Sequence, residues 1–346
     1  MRFSAYLSSA ALAAALLLGG CDAAQTSAST PSADAGAPGA SSGRIVVANR
    51  DDGTLSVIDV ETNAVTTIAM PDGGEPMYVV YTPTQDRVFV GDRANSRVVA
   101  FDAQTFEVEG VVPTGAGVFH MWAEPRLGQL WVVGDVDNTL TVVDPQALTV
   151  LATIPVTGGQ PHDTIVSLRG NVAYASVFVD GGADQVVQYS TRTFEETGRV
   201  DVGEDPHLSL SRGGGDLYVP AQNSDVVSVF DRLTLAPVAS LTVPGAHGAA
   251  MATGGDVFYT TNLPGEGAHG LFAIDTATNT VLGSVDTPVT VPHNIAATPD
   301  NARLYVTHSG PNTEVTVYTT SPGNPVPVFA ATVTVGLNPF GLTYVP

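Results

Sequence analysis

Residues 292–320, PHNIAATPDNARLYVTHSGPNTEVTVYTT, carry the pattern from which the architecture can be read. They contain short runs rich in Val, Thr, Ile and Tyr, separated by Pro, Gly, Asn and Asp. Runs of this kind, bounded by turn-forming residues, are typical of β-strands. From residue 44 onward the chain keeps this composition and shows no amphipathic helical pattern. The sequence therefore predicts an all-β protein.

The same pattern occurs seven times. In each copy, a residue that follows a proline-like position opens the segment that we interpret as the innermost strand. These residues are 40 to 47 positions apart, which is the length of one four-stranded propeller blade. They are Met77, His120, His162, His207, His247, His293 and Phe340. Seven copies predict a seven-bladed β-propeller over residues 44–346.

The two ends of this region predict how the ring closes. The region begins with RIVVAN (44–49), which reads as the second strand of a blade, and ends with NPFGLTYV (338–345), which reads as an innermost strand. One blade is then built from both ends of the chain. Such closure leaves no open sheet edge.

Several segments resemble the YVTN-type seven-bladed propellers, among them LYVTH (304–308) and FYTTN (258–262). The acidic end of the following strand, as in VIDVET (57–62), is similar as well. The resemblance covers residues 44–346 and implies the fold. It leaves the function open, because propellers host lyases, lactonases, oxidoreductases and scaffolds.

The first 20 residues predict export. They combine Arg2 with an apolar run too short for a membrane-spanning helix, as in a secretory signal. The run ends in LGGC, which resembles a bacterial lipoprotein signal and implies lipidation of Cys21, the only cysteine. Asp22 then slightly favours the inner membrane over other envelope locations. A chance cysteine at a cleavage site is the alternative.

Residues 21–43 are interpreted as the lipidated cysteine and a flexible linker. The stretch AAQTSASTPSADAGAPGASSG (23–43) is small, polar and aperiodic, so it cannot bury a core. As a coil it would span roughly 25 Å. We therefore expect a monomeric propeller tethered to a membrane, in the periplasm or cell envelope.

The charge of the chain excludes some partners. The formal net charge is −21, and all 13 basic residues are arginines. Nucleic acid is not expected as a partner, because phosphate binding requires a basic surface. Without lysine, the chain has no side-chain amine for Schiff-base chemistry. A strongly negative protein attracts cations.

Histidines dominate the repeated position, and this is the main functional signal. His120, His162, His207, His247 and His293 are predicted to surround one end of the central channel, with His269 and His308 in loops on the same face. Several close imidazoles need donors or a cation for their lone pairs. Imidazole suits copper, zinc, iron and nickel, and copper is favoured over zinc by the general affinity order. We therefore predict a transition-metal site formed by these seven histidines.

Two alternatives remain open. The histidines can be structural groups inherited from one ancestral blade, in a scaffold whose flat face binds a partner protein. Met77 and Met121 can be soft ligands for copper(I) or simply pack in the channel wall. Like-charge repulsion within the cluster should lower the pKa values of the histidines in either case.

An axial histidine cluster is similar to the copper-cluster propeller of nitrous oxide reductase. The present chain has no cupredoxin domain after the propeller and has methionine, Met77, at the first-blade position. It is also similar to the amidating lyase propeller, in which histidines from separate blades hold one zinc ion. These resemblances imply a metal-dependent oxidoreductase or lyase.

The remaining acids and motifs give little support for other chemistry. The chain has no G-x-S-x-G elbow, no H-E-x-x-H and no phosphate loop. Asp163 is expected to face away from the channel, because side chains alternate along a strand. Asp52 and Asp92 read as turn residues. The other acids near the repeated position are Glu124, Glu204 and Asp205.

Overall fold

The computed structural model describes residues 42–124, 128–167, 170–211, 215–263 and 268–346. The predicted signal segment, the lipidated Cys21 and nearly all of the linker lie outside these residues. Within them, no helix has the length and apolar character needed to cross a bilayer. Short 3-10 turns occur at Pro71–Gly73 and Gln222–Ser224.

The described residues form 28 strands. The first fourteen are β1 (Arg44–Asn49), β2 (Thr54–Asp59), β3 (Val65–Ala69), β4 (Pro76–Thr82), β5 (Arg87–Asp92), β6 (Arg97–Asp102), β7 (Val108–Pro113), β8 (Val118–Glu124), β9 (Gln129–Gly134), β10 (Thr139–Asp144), β11 (Thr149–Pro155), β12 (Gln160–Val166), β13 (Val172–Phe178) and β14 (Gln185–Ser190). The others are β15 (Glu196–Asp201), β16 (Ser209–Leu210), β17 (Asp216–Ala221), β18 (Val226–Asp231), β19 (Pro237–Thr242), β20 (Ala246–Met251), β21 (Val257–Asn262), β22 (Leu271–Asp275), β23 (Thr280–Val285), β24 (Pro292–Ala297), β25 (Arg303–His308), β26 (Glu314–Ser321), β27 (Asn324–Thr334) and β28 (Pro339–Val345).

These strands form seven antiparallel four-stranded sheets, the blades of a seven-bladed β-propeller. Blade 1 has the order β28-β1-β2-β3, and blades 2 to 7 are the consecutive groups from β4–β7 to β24–β27. The C-terminal strand β28 pairs with the N-terminal strand β1, for example Ile45 with Tyr344. The predicted fold and its ring closure are both confirmed.

The apolar core lies between neighbouring blades. Each of the seven core clusters of the described residues joins two adjacent blades, as where Val46 and Leu55 of blade 1 pack with Val88 and Val90 of blade 2. The second and third strands are therefore buried and rich in Val, Leu and Tyr. The fourth strands lie at the rim and expose apolar side chains such as Val108 and Leu151.

A bulge at the start of the innermost strands positions the axial side chains. In blade 4 the pairing shifts by one residue between Pro161 and Thr164, so that His162 and Asp163 together oppose a single residue of β13. Blades 1, 2, 3, 6 and 7 show the same shift, whereas blade 5 has an isolated bridge from Pro206 to Ala221. A β-bulge re-aims side chains locally. Both bulge residues thereby lie close to the axis.

Candidate metal centre on the propeller axis

The first bulge positions form a ring of contacting aromatic and imidazole side chains. We use "mouth" for the side of this ring at which the innermost strands begin. Between Phe119 and Phe340, the centroids of neighbouring side-chain rings are 3.8 to 4.8 Å apart. The centroids of Phe340 and Phe119, which complete the circle, are 5.8 Å apart. In order, the members are Phe119, His162, His207, His247, His293 and Phe340.

His120 does not occupy the position predicted for it. The register of blade 3 shifts between Val118 and Met121, so Phe119 takes the first bulge position and His120 the second. The His120 ring lies against Tyr78, with centroids 3.7 Å apart, and it also contacts His162 and His207. It therefore reaches the same cluster from one layer further along the channel.

Three histidines have the arrangement of metal ligands. One ring nitrogen from each of His120, His162 and His207 lies within 4.8 Å of the others. The Nε2 atoms of His162 and His207 are only 2.9 Å apart. At that distance either one of them carries the proton and donates it, or both direct lone pairs at a common cation. The three-histidine cluster is thus the part of the predicted site in which ring nitrogens from three residues converge as metal ligands do.

Asp163 is the functional residue that the sequence analysis placed wrongly. It was expected to face away from the channel, but its carboxylate lies 2.9 Å from Nδ1 of His120, the histidine of the preceding blade. It also accepts hydrogen bonds from the backbone amides of Thr164 and Leu208. Burial opposes ionisation of Asp163, yet the nearby His120 and these hydrogen bonds outweigh it and lower its pKa. Only the adjacency of His162 and Asp163 in the sequence could have indicated it.

The contact with Asp163 fixes which nitrogen of His120 can bind a cation. An ionised carboxylate only accepts hydrogen bonds, so Nδ1 of His120 carries the proton and donates it. In the neutral form of the ring, Nε2 is therefore the nitrogen with the lone pair. This atom is buried and has no hydrogen-bond partner among the described residues. Both ring nitrogens of His247 are in the same situation.

The buried imidazoles are kept neutral. Burial lowers the pKa of His207 to about 3, and His120 adds repulsion between positive charges. Burial, followed by the neighbouring histidines, also lowers the pKa values of His162, His247 and His293 well below the usual value. The expected direction is confirmed, but desolvation rather than mutual repulsion is the larger cause. Neutral imidazole is the form that binds metals.

The two loop histidines do not join the cluster. His308 is buried in blade 7, where Nε2 lies 2.7 Å from Oγ1 of Thr316 and Nδ1 lies 3.0 Å from the carbonyl oxygen of Thr290. The side chain of His269 is 72% exposed and its Nδ1 contacts Ser284. In this structure neither one caps the site as predicted.

The methionines pack in the core. Met77 is completely buried and Met121 nearly so, both in an apolar cluster with Phe89 and Val132. Tyr78, the residue after Met77, contacts the ring in place of Met77. Packing, the alternative interpretation, therefore describes both methionines.

The remaining acids have separate roles. Asp205 lies 4.0 Å from Nε2 of His162, and burial together with the neighbouring Asp184 raises its pKa to about 6. Glu204 precedes it, and its backbone amide donates to Ser224. Glu124 pairs at the other end of β8 with Gln129.

The two predicted turn residues stabilise local structure. Asp92 is fully buried and accepts hydrogen bonds from the side chains of Asn95 and Arg97. Asp52 accepts a hydrogen bond from the backbone amide of Leu337. Neither carboxylate is part of the histidine cluster.

Two arginines lie over the aromatic members of the ring. The guanidinium of Arg50 is 5.7 Å from the centre of the Phe340 ring, and that of Arg93 is 5.8 Å from Phe119. Both arginines also form ion pairs, with Glu75 and Asp135 respectively. The aromatic half of the ring is thus held by cation–π contacts.

The fold and the site define a seven-bladed propeller with a buried axial histidine cluster. The description "Lactonase, 7-bladed beta-propeller" matches residues 39–236, which is more than half of the chain. The chain belongs to this family. No protein with a curated functional description matches it in a sequence comparison.

Solved structures give the same fold. A protein from Lactobacillus plantarum has a TM-score of 0.73 and 16% identity, over 88% of this chain and 100% of that one. A putative 6-phosphogluconolactonase from Bacteroides uniformis has a TM-score of 0.72 and 18% identity, over 88% and 99%. Hydrazine synthase from Kuenenia stuttgartiensis has a TM-score of 0.62 and 18% identity, over 76% and 87%. At these identities the similarity establishes the fold alone.

Proposed function

We propose that the protein binds a transition-metal ion on the propeller axis through His120, His162 and His207. The observation that carries the proposal is the hydrogen bond between Asp163 and Nδ1 of His120, which leaves Nε2 of His120 buried and without a partner among the described residues. Metal-binding histidines commonly donate their other N–H to a carboxylate in this way.

The spacing of the nitrogens supports this proposal. Ring nitrogens bind zinc at about 2.0–2.1 Å, so two ligands of one tetrahedral ion are about 3.3–3.4 Å apart. The Nε2 atoms of His162 and His207 are 2.9 Å apart, so they would have to separate slightly to bind the same ion. Three histidine ligands leave a coordination position open for water or substrate, as in catalytic rather than structural sites.

Copper is the metal that we favour, ahead of zinc. Among divalent ions, nitrogen ligands bind copper most tightly. The three ligands are all imidazoles, and Met77 and Met121 pack in the core, so no thioether contributes. The negative charges of Asp163 and the protein as a whole favour a cation at this position.

The chemistry proposed for the site is metal-assisted. A bound ion can polarise a carbonyl group or lower the pKa of a water molecule, and copper can in addition change its oxidation state. The protein's own contribution is to orient His120 through Asp163 and to keep His162 and His207 neutral by burial. Membership of the lactonase family favours hydrolysis of a lactone as the second candidate, beside an oxidoreductase or lyase reaction.

We further propose that the protein is exported and anchored to a membrane of the cell envelope by a lipid on Cys21. The LGGC sequence and the polar linker that follows it support this proposal. A Cys21→Ser variant should no longer incorporate labelled fatty acid and should appear in the soluble fraction. Unchanged membrane association of that variant would exclude the lipid anchor.

Metal content tests the axial site. Protein purified without chelator, after growth with copper and zinc, should contain about one equivalent of metal by elemental analysis. His162→Gln should remove this metal, whereas the matched variant His269→Gln should retain it, because His269 is exposed and outside the triad. His293→Gln should retain it as well.

A different result would support the scaffold alternative. If the wild-type protein holds no metal and takes up none on titration, the histidines are structural and the function is more consistent with binding of a partner protein on a propeller face. Equal metal content in wild type and His162→Gln would exclude the proposed triad.

A further inference from the structure

One residue from each blade lies at the mouth, directly before the proline-like position that opens the innermost strand. In chain order these residues are Glu75, Gly117, Gln160, Asp205, Gly245, Val291 and Asn338. Glu75 and Asp205 are the two acids of this set. Glu75 is already paired, because its Oε1 lies 2.7 Å from Nε of Arg50. Asp205 has no arginine partner among the described residues.

The carboxylate of Asp205 lies beside the three-histidine cluster. Its Oδ1 is 4.0 Å from Nε2 of His162, and the side chain is 24% exposed. His162 is one of the three histidines whose ring nitrogens converge. Within the described parts of the chain, no group donates a hydrogen bond to this carboxylate. A cation bound by the histidines would supply the partner that it lacks.

Backbone contacts hold Asp205 at this place. Its amide donates a hydrogen bond to Oδ2 of Asp184 at 2.8 Å, and its carbonyl oxygen accepts one from the amide of Gln222 at 3.2 Å. Its φ of 59° lies in the left-handed region, which Asp and Asn tolerate better than most side chains do. The main chain is thus fixed by residues of blades 4 and 5, and the side chain is the part that can adjust.

The separation of 4.0 Å between Asp205 and His162 is compatible with one shared ion. Nitrogen and carboxylate ligands bind zinc at about 2.0–2.2 Å, so two of them are at most about 4.2 Å apart on one ion and about 3.4 Å apart in a tetrahedral site. A movement of the Asp205 oxygen by about 0.6 Å would therefore give the tetrahedral spacing. Zinc in catalytic sites can also take a fifth ligand, so a carboxylate here leaves room for water or substrate.

Charge balance also favours a carboxylate ligand. Histidine binds a metal as the neutral imidazole, so three histidines do not compensate the charge of a divalent ion. Buried charges in proteins are paired or coordinated. Asp163 contacts Nδ1 of His120 and therefore acts on the ion only through that ring. Asp205 is placed to contact the ion itself.

We propose that Asp205 is a fourth ligand of the metal ion, on the mouth side of His120, His162 and His207, and that it makes the site select divalent ions over copper(I). This inference rests on the proposed metal site. Carboxylate oxygen suits hard ions, whereas copper(I) prefers soft ligands. Loss of Asp205 therefore weakens binding of copper(II) and zinc more than binding of copper(I).

Asp205→Asn tests the proposal, with Glu204→Gln as the matched control. Glu204 is the preceding residue and is exposed, so its substitution removes the same charge without removing a ligand. The metal-free wild type and both variants are titrated at neutral pH with copper(II) in competition with a chelator, and with copper(I) under anaerobic conditions. Asp205→Asn should weaken copper(II) at least about 100-fold, more than the loss of a group that only orients a ligand. Copper(I) should weaken less than about tenfold.

Electron paramagnetic resonance of the copper(II) forms gives an independent readout. The spectrum of Asp205→Asn should differ from that of the wild type, because an oxygen ligand is lost, whereas the spectrum of Glu204→Gln should not. Circular dichroism checks that the variants fold. Asp205→Gly serves if Asp205→Asn does not fold, because glycine adopts a positive φ readily and occupies this position in blades 3 and 6.

Three results would overturn the inference while leaving the histidine site in place. They are equal copper(II) affinities of the wild type and Asp205→Asn, an equal loss in Asp205→Asn and Glu204→Gln, and a loss of copper(I) affinity as large as that of copper(II). A wild-type protein that binds no metal would overturn both this inference and the proposed function.

Discussion

The carboxylate of Asp163 contacts the blades on both sides of its own blade. One oxygen contacts Nδ1 of His120 from blade 3, and the other accepts the backbone amide of Leu208 from blade 5. The residue itself belongs to β12 in blade 4. It therefore links three consecutive blades at the point where the proposed ligands meet.

The substitution Asp163→Asn should weaken metal binding 10- to 100-fold, because a neutral amide holds the Nδ1–H tautomer of His120 less firmly. The measurement is a competition titration of copper or zinc against a chelator. Asp201→Asn is the matched control, since Asp201 is exposed and its side chain accepts a hydrogen bond from Gln185. If the affinities of the two variants were equal, Asp163 would not orient His120.

At the scale of strands, the bulge explains which parts of the site the sequence could predict. The strand pattern and the repeat length predicted seven blades, because both follow from local turn chemistry and from strand spacing. The pattern also predicted that five histidines meet on the axis. It assigned His120 to the first bulge position by analogy with the Pro-His pairs, although blade 3 has Val118 and Phe119 there.

The parts that could not be predicted depend on bulges and on contacts between strands. An extra residue in a bulge breaks the alternation on which strand patterns depend, so the direction of Asp163 could not be derived from its position. The environment of His308 depends on Thr316 in the next strand. The presence of a histidine at position 308 does not by itself show whether the side chain is a buried structural group or a ligand.

Gly248 shows how closely the second bulge positions pack. A Cβ atom on this residue would lie 2.0 Å from the carbonyl oxygen of His293 in the neighbouring blade. Gly248→Ala should therefore lower the free energy of unfolding by about 1–3 kcal/mol through overpacking.

Denaturant titration of Gly248→Ala measures this loss. Gly198→Ala is the control, because its Cβ would meet only ordinary contacts, the nearest being a side-chain atom of Leu235 at 3.6 Å. Equal stability of the two variants would show that blades 6 and 7 can separate slightly at no cost.

At the scale of the whole molecule, ring closure makes the two ends of the propeller depend on each other. β28 supplies the innermost strand of blade 1, and its Val345 is fully buried in the cluster between blades 1 and 2. Deletion of residues 339–346 should abolish the folded monomer, because blades 1 and 7 then lose their shared contacts.

Size-exclusion chromatography and circular dichroism measure the effect of this deletion. The background is a chain that begins at residue 42 and retains β28, which should elute as a folded monomer. A monomeric, cooperatively unfolding protein without β28 would mean that closure is not required for stability.

The buried histidines make the metal-free protein sensitive to acid. The folded-state pKa values of His207 and His308, about 3 and about 4, lie below the unfolded value near 6.5. Below about pH 6.5 the unfolded chain therefore binds protons that the folded chain does not, and stability falls as the pH falls. Each such histidine contributes about 1.4 kcal/mol per pH unit until its folded-state pKa is reached. Asp205 has the opposite effect, because its folded-state pKa is raised to about 6. Below that pH the folded chain binds one proton at Asp205 that the unfolded chain does not yet bind, which stabilises the folded state.

Urea unfolding of metal-free protein at pH 7, 6 and 5 measures this dependence. The free energy of unfolding should decrease towards pH 5, and His308→Gln should reduce the slope by about one proton. A stability that stays constant between pH 7 and pH 5 would contradict the burial of neutral imidazoles.

The axial ring also removes the symmetry that the seven blades create. Seven equivalent blades would offer a molecule on the axis seven indistinguishable orientations. Here imidazoles from blades 4 to 7 occupy one arc, and Tyr78, Phe119 and Phe340 from blades 2, 3 and 1 occupy the other. A bound molecule meets nitrogen atoms on one side and carbon rings on the other, so one orientation is preferred. A molecule with one polar and one apolar end would therefore lie across the channel in one direction, its polar end toward blades 4 to 7.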